Sequence, residues 1–93
     1  MLLVIDIGNT SIVYGVYNRD KLLGSWRMTT NKKGTADEQG LFLYDVLALN
    51  DIDRKKIDGI IISSVVPSMM QSLKVMCKHY FHLEPMIVGP SIK

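Results

Sequence analysis

The sequence predicts a mixed α/β fold in which three antiparallel strands precede a helix, a strand, a second helix and a last strand. Two observations set that order. The runs Leu2-Leu3-Val4-Ile5 and Ile60-Ile61-Ile62-Ser63-Ser64-Val65-Val66 are too continuously apolar for strands with one wet face, so both belong inside a sheet. Thr35-Ala36-Asp37-Glu38 is a capping box: the Thr35 hydroxyl can accept from the Glu38 amide while the Glu38 carboxylate reaches back to the Thr35 amide, which starts a helix.

The elements follow in turn. Residues 2–5 form a buried strand that ends in the polar corner Asp6-Ile7-Gly8-Asn9-Thr10. Residues 11–17 return to β-branched and aromatic character, Asn18-Arg19-Asp20 makes a turn, and residues 22–28 complete an antiparallel meander. The helix begun at Thr35 presents Leu41, Tyr44, Leu47 and Leu49, with Phe42 and Val46 beside them, as a core stripe, and Asn50-Asp51 ends it. Gly59 opens the central parallel strand. Pro67 sits in the first turn of a second helix, whose Met69, Leu73, Met76 and Tyr80 share one face. Pro85-Met86-Ile87-Val88 reads as a further strand closed by Gly89-Pro90. An α/β sheet ordinarily continues from such a corner into another helix, so the fold reads as cut short at Lys93.

Composition narrows the function classes. The 93 residues are 47% hydrophobic and 22% charged, which suits one folded domain and argues against disorder. A chain of this size leaves much apolar surface in water, so self-association is expected. Lys plus Arg number 11 against 9 acidic residues, and the clusters Lys32-Lys33 and Arg54-Lys55-Lys56 read as solvated loops; no nucleic-acid partner is expected. Met1 leads straight into apolar residues with no basic segment before them, and no apolar run approaches the ~20 residues that cross a bilayer. With Cys77 the single cysteine, no internal disulfide can form, and a cytoplasmic location without membrane association is expected.

The residues with most chemical promise are Asp6, Gly8, Asn9 and Thr10. A phosphate site needs amides pointing into a concave turn, small residues that let the phosphate approach, and a carboxylate for magnesium. This corner offers all three, but the short pattern by itself fits an ordinary hairpin turn with Asp6 as an Asx cap at least as well. There is no G-x-x-x-x-G-K-[ST] or G-x-G-x-x-G run, so a nucleotide site would have to use the hairpin. Cys77 points away from His79 and His82 at helical spacing, which argues against a metal site. Ser63-Ser64 lies outside any G-x-S-x-G elbow and reads as strand-end packing, and Met69 and Met70 as filler.

Taken together, the segments resemble the type III pantothenate kinases, members of the acetate and sugar kinase, heat-shock chaperone and actin superfamily. The resemblance rests on Asp6-Ile7-Gly8-Asn9-Thr10, Gly15, Leu22 with Trp26-Arg27 and Thr29, Thr35-Ala36-Asp37-Glu38, Ser63-Ser64-Val65-Val66-Pro67, and Pro85 with Val88-Gly89-Pro90. It implies that residues 1–93 are the N-terminal nucleotide-binding subdomain of an actin-like ATPase (ribonuclease H-like) fold, with the second subdomain outside this chain. It also implies an ATP phosphate loop made of Asp6, Ile7, Gly8, Asn9, Thr10, Ser11, Ile12 and Val13, with Asp6 holding magnesium directly or through water.

The family phosphorylates the primary hydroxyl of pantothenate to 4'-phosphopantothenate, the first step of coenzyme A synthesis. Its members use ATP, magnesium and a monovalent cation, potassium or ammonium, and act as homodimers. Two departures stand out. Ser91 replaces the glycine usual in the G-P-G-x-K-T-G turn. The general-base aspartate of a G-A-D-R segment, the second phosphate motif and the adenine-side wall lie beyond Lys93, so no catalytic base is expected in this chain and little activity from it alone. The alternative is a non-catalytic interaction module on the same fold, like the relatives regarded as transcriptional accessory factors.

Overall fold

The computed structural model describes residues 1–89. The closing Pro90 and the departure at Ser91 lie outside the described residues.

Strands β1 (Leu2–Ile7), β2 (Ser11–Asn18) and β3 (Lys21–Thr29) form the expected antiparallel meander. Strand β4 (Gly59–Ser64) pairs in parallel with the free side of β1, and β5 (Met86–Val88) pairs in parallel with β4, giving the order β3-β2-β1-β4-β5. Strand β1 runs two residues past its apolar stretch. Asp6 and Ile7 pair with Val13 and Ile12 on one side and with Ser63 and Ser64 on the other, and two ladders hold a polar residue extended that its own propensity would release. Conversely, β4 stops at Ser64: the Ser64 hydroxyl accepts from the Val66 amide at 2.9 Å and turns the chain. In the β2–β3 ladder the register shifts between Val16 and Tyr17, which leaves Leu23 as the extra residue of a bulge.

Helix α1 (Ala36–Leu49) starts at the predicted capping box, with both reciprocal hydrogen bonds present. Its buried face differs from the expected stripe. Gln39, Gly40, Leu43 and Leu47 are buried, while Leu41 and Leu49 are 56% and 82% exposed. At 3.6 residues per turn Leu41 points about 200° away from Leu43, so once Leu43 and Leu47 face the sheet Leu41 must face water. The second helical segment is a composite: a 3₁₀ turn at Pro67–Met69, helix α2 (Met70–Met76) and a π turn at Cys77–Phe81 that ends on His82 in the left-handed conformation. The predicted face is correct for Met69, Leu73 and Met76, all buried, and Tyr80 is half-buried.

The widened turn places the Tyr80 ring flat against α1. A Cβ on Gly40 would come within 2.5 Å of that ring, so glycine is what permits the close crossing. The Tyr80 hydroxyl donates to Asp37 at 2.6 Å, and the Tyr44 hydroxyl donates to the Tyr80 carbonyl. Both helices cover one face of the sheet. Leu3, Ile5, Ile7, Ile12, Tyr14, Val16, Ile60 and Ile62 alternate onto that face and join Leu43, Leu47, Leu73 and Met76 in one core. The other face carries Val4, Asp6, Val13, Arg27, Ile61 and Ser63, none of them in that core.

Candidate functional site

The corner between β1 and β2 is held from below. The Gly8 amide donates to the Ser11 carbonyl at 2.9 Å, closing the turn. The Thr30 hydroxyl donates to the Gly8 carbonyl at 2.8 Å, and the Thr30 amide donates to the Thr10 carbonyl at 3.0 Å. One residue beyond β3 therefore clasps both loop carbonyls. Among the described residues all peptide bonds are trans, and in a trans peptide the N–H lies opposite the C=O. Fixing the Gly8 carbonyl on Thr30 thus turns the Asn9 amide the other way. Among the described residues neither the Asn9 nor the Thr10 amide meets a backbone acceptor, and both residues are exposed. A peptide whose carbonyl is tied back so that its N–H turns outward, as at Gly8–Asn9, is what an anion-binding turn requires.

Gly8 serves this turn by its size. No glycine has a positive φ, and a Cβ at Gly8 would approach the Ser11 carbonyl oxygen to 3.3 Å, tight but short of a clash. The expected steric need for glycine is therefore a crowded approach rather than a special backbone conformation.

The register assembles a polar row beside the loop. Ser63, Asp6, Val13 and Arg27 stand side by side on β4, β1, β2 and β3, each strand about 4.8 Å from the next. They share the face that the helices leave uncovered. Asp6 is exposed and forms no ion pair among the described residues. Arg27 donates to the Ser11 hydroxyl at 2.8 Å, which brings a guanidinium to the rim of the turn. Ile7 and Ile12 point the other way into the core and anchor the two arms of the hairpin. Of residues 6–13, then, Asp6, Gly8, Asn9, Thr10 and Ser11 are placed at the rim. Thr30 and Arg27 complete the group and were not among the predicted site residues; the alternation of β3 carries Arg27 to this face, but nothing local in the sequence marks Thr30.

Asp6 is the acidic side chain of this row. Among the described residues no three His, Cys, Asp or Glu side chains come together as a metal cluster. Magnesium fits such a place when phosphate oxygens and water supply its remaining ligands, since it commonly takes only one or two carboxylates. Cys77 is buried, with its thiol pushed up to about 12 by desolvation, whereas His79 and His82 are exposed, so they do not converge. In the basic cluster Arg54 lies over the Tyr44 ring at 4.3 Å, and Lys55 and Lys56 are exposed. No helix among the described residues is long and apolar enough to cross a membrane.

A five-stranded sheet of this order, with a loop of free amides at its first hairpin, defines the first subdomain of the actin-like ATPase fold. The solved hexokinase of the ROK group from Thermus thermophilus superposes with a TM-score of 0.70 at 13% identity, over 95% of this chain and 34% of that one. A member of the Ppx/GppA family from Aquifex aeolicus superposes with a TM-score of 0.52 at 17% identity, over 96% of this chain and 35% of that one. At these identities the likeness concerns the fold. The family profile described as type III pantothenate kinase matches residues 2–93, and the chain belongs to that family. The type III pantothenate kinase of Listeria welshimeri is 48% identical over all 93 residues, which span 36% of its length.

Proposed function

We propose that residues 6–13 hold the phosphates of ATP and that the chain is the nucleotide-gripping part of a pantothenate kinase. The observation that carries this reading is the Thr30 clasp, which ties back the Gly8 carbonyl and so turns the Asn9 amide outward for phosphate oxygens; the Thr10 amide also meets no backbone acceptor among the described residues. Family membership supports pantothenate, phosphorylated at its primary hydroxyl, as the substrate of the whole protein in this proposal.

Phosphoryl transfer passes through a loose transition state with charge spread over the transferred group, so positioning and charge neutralisation do most of the work. In this reading the Asn9 and Thr10 amides fix the terminal phosphates, and Arg27, held on Ser11, adds positive potential at the rim. Asp6 would hold magnesium, directly or through water, and the ion would supply charge neutralisation at the phosphates. A monovalent cation, potassium or ammonium, and a homodimer belong to the same proposal. So does a second subdomain carrying the aspartate that accepts the proton of the pantothenate hydroxyl. What favours the kinase reading over the non-catalytic alternative is the match of residues 2–93 to the type III pantothenate kinase profile.

The test is pantothenate-dependent ADP release. The chain alone is expected to be slower than the full-length Listeria welshimeri relative by at least about a hundredfold, since positioning of the acceptor is lost. An equal rate would contradict the assignment of hydroxyl activation to residues outside this chain.

A further inference from the structure

Gln39, on the inner face of α1, is 2% exposed, and among the described residues neither its Oε1 nor its Nε2 has a hydrogen-bond partner. Buried polar groups are nearly always paired, so a wholly unpaired amide marks a place for a missing partner.

Gln39 lines a cavity of about 150 Å³ between the end of the hairpin and the first turn of α1. Ile12, Met28 and Met69 give the cavity an apolar wall, and Thr29 and Glu38 a polar one. The volume corresponds to about five water molecules, at roughly 30 Å³ each, or to one compact organic molecule. Among the described residues no lysine or arginine lines it. The Glu38 carboxylate is fixed there, its Oε1 accepting from the Thr35 amide at 3.0 Å, so anions are disfavoured. Gly34 also lines it; a Cβ there would press on the Asn31 carbonyl oxygen at 3.0 Å and reach ordinary contact with Gln39 Nε2 at 3.7 Å.

We propose that this cavity is a ligand site for the amide or hydroxyl end of a small uncharged aliphatic molecule, read by Gln39. Its Nε2 donates to the carbonyl or hydroxyl oxygen of the ligand, and its Oε1 accepts the N–H or O–H. The aliphatic part lies against Ile12, Met28 and Met69. The site adjoins the phosphate loop: it shares Ile12 with residues 6–13, on the buried side of the hairpin, and Thr29 precedes the clasping Thr30. Its existence does not depend on what the loop binds.

The test is amide-resolved NMR of the ¹⁵N-labelled chain titrated with 2-methylpropanamide. The expected result is saturable shifts at Ile12, Thr29 and the Gln39 side-chain NH₂ with a dissociation constant in the millimolar range, as suits about six heavy atoms. The carboxylate of the same shape, 2-methylpropanoate, should bind at least about tenfold more weakly because it cannot donate and meets Glu38. Gln39→Leu should abolish the shifts. Met28→Phe, which fills the cavity and keeps the amide, should do the same and serves if Gln39→Leu disturbs the fold. Absence of saturable shifts in the parent, equal binding of the carboxylate, or unchanged binding in both variants would overturn the proposal and leave a cavity that holds water.

Discussion

Ile61 and Ile62 are neighbours in β4 and point to opposite faces of the sheet. Ile62 is fully buried beneath α1 and α2. Ile61 is only half-buried, between Val4 and Met86 on the face that no helix covers among the described residues. The same contrast runs through β1, where Leu3, Ile5 and Ile7 are sealed while Val4 is half-buried and Asp6 exposed. The covered face concentrates the apolar burial that stabilises the fold. The open face has room for charged and polar side chains at strand ends, and the candidate site lies at its edge.

The largest expected effect sets the two faces against each other. Ile62→Ala should lower the unfolding free energy by about 2–5 kcal/mol, the range for deleting a fully buried isoleucine side chain. Ile61→Ala should cost less than half as much, because part of that side chain already meets water. Equal losses in denaturant unfolding would show that the open face is as well packed as the other. Gly40→Ala comes next. The added methyl meets a Tyr80 ring that is held at its hydroxyl by Asp37 and at its carbonyl by Tyr44, so overpacking of about 1–3 kcal/mol is expected.

Thr30→Val tests the link between stability and binding. Losing the hydroxyl bond to the Gly8 carbonyl should lower stability by only about 1 kcal/mol, yet weaken Mg-ATP binding by roughly tenfold, because the Asn9 amide is no longer oriented. A fall in stability with Mg-ATP affinity unchanged would make Thr30 a structural residue only.

The smallest effect is a pH dependence from the covered face. Burial raises the Cys77 thiol from its ordinary 9.0 to about 12. In the unfolded chain the thiol ionises near 9, while in the fold it keeps its proton, so stability is undiminished below about 9 and falls as pH climbs toward 12. The stability difference between the parent and Cys77→Ala should therefore shift in favour of the variant above pH 9. An unchanged difference would place Cys77 in a wetter setting.

Much of this fold was legible because local rules and the global arrangement agree. The capping box fixed the start of α1 to the residue, and the two β-branched runs identified the adjacent central strands. The helix face was less legible, since α1 carries Leu41, Phe42, Leu43, Val46, Leu47 and Leu49 almost all round, and periodicity cannot choose among them. The choice is made by Gly40, whose missing side chain admits Tyr80 from the other helix, a contact between residues 40 apart in sequence. The π turn that carries Tyr80 has no local signature either. At the site, the residues of the turn were readable as a pattern of Asp, Gly, Asn and Thr. The clasp was not, because Thr30 reaches Gly8 only once β3 has paired with β2.

The central claim is that the hairpin rim binds the phosphates of ATP while the covered face merely supports it. Calorimetric titration of the parent chain and Asp6→Ala with Mg-ATP tests this most directly. Saturable heat for the parent, lost in an Asp6→Ala variant whose unfolding midpoint is unchanged, is the predicted result. Equal heats for the two proteins, whether both measurable or both negligible, would contradict it.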